Sequence, residues 1–193
     1  MLDKTKSQWY PMRISYSNAS RLIRLQEKLN EETSVEETFV PMIYKQVDTK
    51  MELAPAIDNL IFIRTKYSDL SAIKENKSLF EPLRYIMHPV LEDGIIHSEV
   101  LVVPDGQMSD FIRVTAEQNE RVVFLNNLEY ACKPGARVQI TEGAFAGVKG
   151  VVKSFKKHLC VVIPIKDVAA VAITNVPKKH LLYLKEEETE EKV

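Results

Sequence analysis

Apolar and polar positions along the chain change period several times, and each change marks an element. From Trp9 to Tyr16, the residues Tyr10, Met12, Ile14 and Tyr16 alternate with Pro11, Arg13 and Ser15, the period of a half-buried strand. Pro11 has no amide hydrogen to give to a ladder, so the pattern predicts an edge position or an irregular first part. Ser17 or Asn18 can cap the helix that follows. Ala19, Leu22, Ile23 and Leu29 give that helix an apolar stripe, while Arg21, Arg24 and Lys28 face away. Glu37–Val47 reads as a second strand. Asn59–Thr65, nearly all apolar, reads as a third, central and covered on both faces. Ser68 or Asp69 caps a short helix to about Asn76, Leu83–Met87 is a fourth strand, and His97–Val103 is another extended run. Pro104-Asp105 then opens a helix with Met108, Phe111, Ile112 and Thr115 on one side.

The order strand, helix, strand, strand, helix, strand, closing helix predicts two βαβ-like halves on one antiparallel sheet, the ferredoxin-like arrangement. Gln118–Ala131 is polar at both ends and serves as the candidate linker, although Val122, Val123, Phe124 and Leu125 give part of it a reason to pack. Val138 and Ile140 then alternate with Arg137, Gln139 and Thr141. Three glycines, Gly143, Gly147 and Gly150, follow around Phe145, and Val151-Val152 resumes a strand. Glycine reaches positive φ or lets two backbones approach closely, so this stretch describes one corner of a small barrel. Leu159–Ile165 and Ala169–Ile173 are further strands, and Pro177–Leu184 closes the domain. Glu186–Lys192 is an acidic, low-complexity tail expected to be disordered.

Composition narrows the function classes. The chain has 193 residues, 45% hydrophobic and 27% charged, ordinary for a globular protein. A formal net charge of −1 does not advertise a nucleic-acid binder, so such contacts must come from local patches. His88, His97, His158 and His180 are scattered, and Cys132 and Cys160 lie far apart, which predicts no metal site, no cofactor and a reduced intracellular setting. The cysteines read as packing residues. Glu36-Glu37 and Glu92-Asp93 sit in polar segments and read as solvated surface, so an enzyme is not expected. The N-terminus lacks a signal-peptide core and no apolar run is long enough for a bilayer, pointing to a cytoplasmic protein with no membrane partner.

The run Gly143, Phe145, Gly147 and Gly150 after a strand resembles the KOW motif of the small SH3-like barrels at the C-terminus of NusG-type transcription factors, with Ala144 where the family has proline. The first half resembles the family's NGN domain. Trp9-Tyr10 stands where the family opens with Trp-Tyr, Asn59–Ile63 where it has Pro-Gly-Tyr-Val-x-Val, and Val103-Pro104-Asp105 with Met108 resembles the entry to the last NGN helix. Asp58-Asn59 replaces the family's Pro-Gly pair, and the loop from Lys45 to Asp58 reads as short. The departures place the chain nearest the UpxY-like specialised paralogues. The implied fold class is α+β: a ferredoxin-like NGN domain over 1–118, a linker over 119–130, a KOW barrel over 131–185 and the tail over 186–193. The implied function is a monomeric transcription elongation factor that binds RNA polymerase and suppresses pausing and termination, operon-specific rather than housekeeping. The alternative is an RNA-binding or ribosome-associated KOW protein.

The resemblance also implies sites. Tyr10, Leu60, Phe62, Leu83 and Ile86 would line the depression that takes the polymerase clamp helices. Phe62 and Ile86 also read as core, and Tyr10 reads as the contact that tolerates a wet edge. Arg13, Ser17, Asn18, Arg21 and Arg24 would meet the non-template DNA strand, or else form a solvated helix face. Lys149, Lys153, Lys156 and Lys157 form a second basic cluster that reads either as an RNA contact or as a solvated barrel rim. Phe145 with Gly143 and Gly147 would contact a small-subunit ribosomal protein or Rho; the other reading has Phe145 plug the barrel end.

Overall fold

The computed structural model describes residues 5–16, 18–47, 49–117, 121–125, 135–155, 158–165 and 168–185. Ser17, Cys132, Lys156, Lys157 and the acidic run 186–193 lie outside them. The fold is mixed α/β, mostly sheet with three α-helices among the described residues. Two compact units divide between Met108 and Ser109.

In the first unit, β1 (Ser7–Ile14), β2 (Val35–Phe39), β5 (Leu60–Lys66) and β6 (Leu83–Tyr85) form an antiparallel sheet in the order β2-β5-β1-β6. Helix α1 (Ala19–Asn30) connects β1 to β2, and α2 (Tyr67–Asn76) runs between β5 and β6. Asn18 caps α1 in extended backbone, accepting at Oδ1 from the Arg21 N–H (2.9 Å), so the short polar residue before the stripe does set the helix start. Leu22, Leu25 and Leu29 of α1 and Leu70 and Ile73 of α2 pack with Tyr10, Met12, Ile14, Ile61 and Ile63 on one face of the sheet. Each such side chain taken fully out of water contributes about 1.5–3 kcal/mol.

Pro11 does not sit on an edge strand, because β1 lies between β5 and β6. It is tolerated because β6 pairs only with Met12–Ile14, while two residues earlier Trp9 gives its carbonyl to the Val103 N–H (2.9 Å). The missing amide hydrogen falls between those two partners.

The single strand expected over Glu37–Val47 is two, broken at Val40-Pro41. β3 (Met42–Val47) turns back as β4 (Lys50–Pro55), so the stretch expected to be a short loop is a hairpin. A second hairpin, β7 (Met87–Glu92) with β8 (Ile95–Val100), follows β6. Its turn is Asp93-Gly94, with φ of 51° and 76°, the dipeptide that two-residue hairpin turns select.

Helix α3 (Asp105–Ala116) contains the division between the units. In the second unit, β9 (Val122–Phe124), β10 (Arg137–Ile140), β11 (Lys149–Phe155), β12 (His158–Ile165), β13 (Ala169–Thr174) and β14 (Leu181–Tyr183) form one antiparallel sheet in the order β14-β10-β11-β12-β13-β9. Residues 122–124, expected in the linker, are its sixth strand. Val122, Val123 and Phe124 pair with Ile173, Ala172 and Val171, and Leu125 donates its N–H to Ala170 (3.0 Å). The apolar cluster that argued against a free linker explains this, because it covers small residues of β13. Phe111 of α3 meets Phe124 edge-on at 6.4 Å, so the C-terminal half of α3 belongs to this unit and not to the first.

Candidate interaction surfaces

The five apolar residues expected to form one depression do not share a surface. Antiparallel register puts Tyr10 opposite Ile63 and Leu83 opposite Ile14, on the helix-covered face, whereas Phe62 pairs with Pro11 and Leu60 with Arg13, on the other. Tyr10, Leu60, Phe62 and Leu83 are all fully buried, and only Ile86 is half-buried. Tyr10 is core and not a wet-edge contact. Its ring packs 6.3 Å from Tyr67, and its hydroxyl reaches Gln8 Oε1 at 3.4 Å. Phe62 packs against Phe39 at 6.3 Å.

In the first unit, most of the large exposed apolar side chains lie instead on the two hairpins. Tyr44 and Leu53 face each other across β3–β4, as do Leu91 and Ile96 across β7–β8. Leu91 and Ile96 are 70% and 73% exposed, more than any core-forming role permits. The Asp93-Gly94 dipeptide was the signal in the sequence that could have revealed this second arm. On its other face, His97 Nε2 lies 3.5 Å from Glu92 and 3.4 Å from Glu99. These three groups fall within 4.8 Å of one another, a set chemically able to meet a cation. Glu92 is exposed, and the contact of His97 with Glu99 is a hydrogen bond at 3.4 Å.

The basic residues near α1 separate into two groups. Arg13 donates from Nη1 to Asn59 Oδ1 (2.9 Å), and burial pushes its guanidinium below the usual range. Asn18 uses its Oδ1 as the cap, which leaves only its Nδ2 to reach a base edge. Arg21 and Arg24 are exposed and line a cleft of about 640 Å³ with Tyr16, Lys28, Leu79 and Pro82. The Arg21 guanidinium lies 5.4 Å over the Tyr16 ring. Tyr16, read only as the end of a strand, thus supplies an aromatic face beside two cations. Of the second basic cluster, Lys149 is exposed and Lys153 is buried, while Lys156 and Lys157 lie outside the described residues.

The glycine loop folds as its spacing demands. Gly143 and Gly147 have φ of 84° and 91°, and at Gly150 a Cβ would lie 2.6 Å from the Val162 carbonyl oxygen. Phe145 is only 4% exposed, so of its two readings the buried plug describes it and the open anchor does not. The loop is held from outside by α3. Arg113 donates from Nη1 to the Ala146 carbonyl (2.7 Å) and from Nη2 to that of Ala144 (2.9 Å), and Asp110 accepts from the Lys149 N–H (3.1 Å). What the loop presents outward is Glu142, Gly143, Ala144 and Gly147. Cys160, in β12, is buried, and burial pushes its thiol up, away from the thiolate a nucleophile needs. Among the described residues, no helix is long and apolar enough to cross a membrane.

No family model matches this chain, and no curated protein matches it. Among solved structures it is similar to the NusG protein of Thermotoga maritima, in a structure concerned with that protein's domain interaction, at 15% identity and a TM-score of 0.46 over 94% of this chain and 99% of that one. A likeness of this size assigns no residue a role and carries no function across.

Proposed function

We propose that this chain is a non-enzymatic transcription elongation factor of the NusG type, a ferredoxin-like NGN domain and a KOW-type SH3-like barrel acting on RNA polymerase in the cytoplasm as a monomer. Within that type we propose an operon-specific antiterminator of the UpxY-like kind, which disfavours pausing and termination. The observation that carries this reading is the glycine loop. Gly143 and Gly147 at positive φ, buried Phe145 between them, and Gly150 where no Cβ fits account together for the Gly-x-Phe-x-Gly-x-x-Gly spacing after a strand. The strand order β2-β5-β1-β6 with α1 and α2 as connections supports the same reading, since a split pair of βαβ units produces it.

Side chains without exposed surface make no contact, so the polymerase-facing role passes to the exposed hairpin residues Tyr44, Leu53, Leu91 and Ile96. The cleft of Tyr16, Arg21 and Arg24 suits the displaced non-template strand, with phosphate on the guanidiniums and a base against the ring. The outward backbone of the glycine loop is left for a small-subunit ribosomal protein or Rho. A factor that binds the closed, elongating polymerase more tightly than the open one shifts its population toward elongation.

Titration of the full chain against core RNA polymerase tests this. Binding that weakens about tenfold or more in Leu91→Ser/Ile96→Ser, with unchanged melting, is the expected result. Sedimentation with ribosomes and no polymerase binding would support the alternative, a ribosome-associated KOW protein. Mapping of DNA occupancy then separates a few operons from genome-wide binding.

A further inference from the structure

We infer that Glu92, His97 and Glu99 on the β7–β8 hairpin form a binding site for a divalent transition-metal ion of the zinc type. The register builds the site. Val90 pairs with His97, Leu91 with Ile96 and Glu92 with Ile95. Alternation along each strand therefore sends Glu92, His97 and Glu99 to one face and Leu91 and Ile96 to the other. The Asp93-Gly94 turn sets that register, so one donor comes from before the turn and two come from after it. Spacing along the chain predicted no metal site, but a hairpin gathers its donors across strands, which such spacing does not register.

Distance, charge and donor type each point to the ion. His97 Nε2 stands 3.5 Å from Glu92 Oε2 and 3.4 Å from Glu99 Oε1, and the three donor atoms all lie within 4.8 Å of one another. Charge-assisted hydrogen bonds close to about 2.7–2.9 Å, so both contacts are long for that purpose. Donors held about 2.0–2.2 Å from a tetrahedral zinc stand about 3.3–3.6 Å from one another, which is the spacing found here. Among the described residues, no lysine or arginine forms an ion pair with either carboxylate. Two negative charges thus converge on one imidazole, and a divalent cation balances both. The imidazole selects the metal class: magnesium and calcium take oxygen donors, whereas zinc accepts nitrogen and carboxylate together. Three protein donors leave the fourth position to water. An ion bridging both strands staples the arm that carries Leu91 and Ile96 on its other face.

Calorimetric titration of the chelator-treated full chain with zinc, and separately with magnesium, tests the site. Zinc is expected to bind and magnesium to bind far more weakly. His97→Ala and Glu92→Gln/Glu99→Gln should each weaken zinc binding about tenfold or more, with metal-free melting unchanged. His180→Ala should leave it intact, because His180 with Glu142 at 3.2 Å is a pair in the other unit and not a set of three. Zinc should also shift the His97 ring signals in NMR spectra and slow amide exchange across β7 and β8. Those two readings use the unaltered chain, so they decide the matter even where a variant folds poorly. Three outcomes overturn the inference: zinc bound equally well by His97→Ala, which marks an adventitious ion only; magnesium bound as tightly as zinc; or His97 ring signals unmoved by zinc in excess.

Discussion

Tyr10 and Phe145 are both aromatics that, read as sequence, present themselves as contacts, and both are buried. Tyr10→Ala is therefore expected to destabilise the protein by about 3–5 kcal/mol, the range of a large core truncation, in chemical denaturation. A loss below about 1 kcal/mol would return the ring to the surface. Phe145→Ala is expected to fall in the same range and not in that of an exposed anchor, read by the same measurement. Cys160 behaves at this scale too. Its folded thiol titrates above the ordinary range because burial disfavours the thiolate. The sign follows: its contribution to stability is intact below the unfolded thiol pKa. It declines as pH rises above that value, where the unfolded chain loses its proton and the folded one keeps it. Alkylation of Cys160 is expected to be slow in the native protein and to follow unfolding; labelling at the free-thiol rate would contradict its burial.

At the scale of elements, α3 and the glycine loop act together. Arg113 holds two loop carbonyls at once, which fixes the backbone around Gly143 and Gly147. Arg113→Ala should raise amide exchange selectively in residues 142–148, leaving β12 and β13 protected. Unchanged exchange in the loop would show that the hydrogen bonds among Ile140, Gly143, Phe145, Gly147 and Val148 suffice without the helix. The cap of α1 offers a comparison legible from sequence: Asn18→Ala should cost about 1 kcal/mol by denaturation, because the Arg21 N–H loses its acceptor.

For the whole molecule, the division between Met108 and Ser109 has a consequence that boundaries at 118 and 131 do not. A fragment of residues 131–185 lacks both Phe111 and the strand Val122–Phe124, which pack on its sheet. A fragment beginning at 105 retains them. The longer one is expected to be the more stable by several kcal/mol in parallel melts, since it keeps a buried Phe and an edge strand. Equal stability would restore 119–130 to the role of a linker.

Local periodicity determined most of the elements by itself. The stripe of α1, the apolar run Leu60–Ile63, the helix opened by Pro104-Asp105 and the glycine corner are all readable because each depends on neighbours a few residues away. The glycine spacing even specified backbone conformation, because positive φ excludes most other residues. Tertiary structure alone decided which face of the sheet each apolar residue serves. Alternation tells two sides apart but does not say which side the helices cover, so Tyr10 and Phe62 could not be assigned to a common surface or to opposite ones. It also decided that Val122–Phe124 is a strand and that Phe145 is enclosed. A three-residue edge strand and the arginine that clasps a loop 31 to 33 residues away depend on long-range pairing, which leaves no period in the sequence.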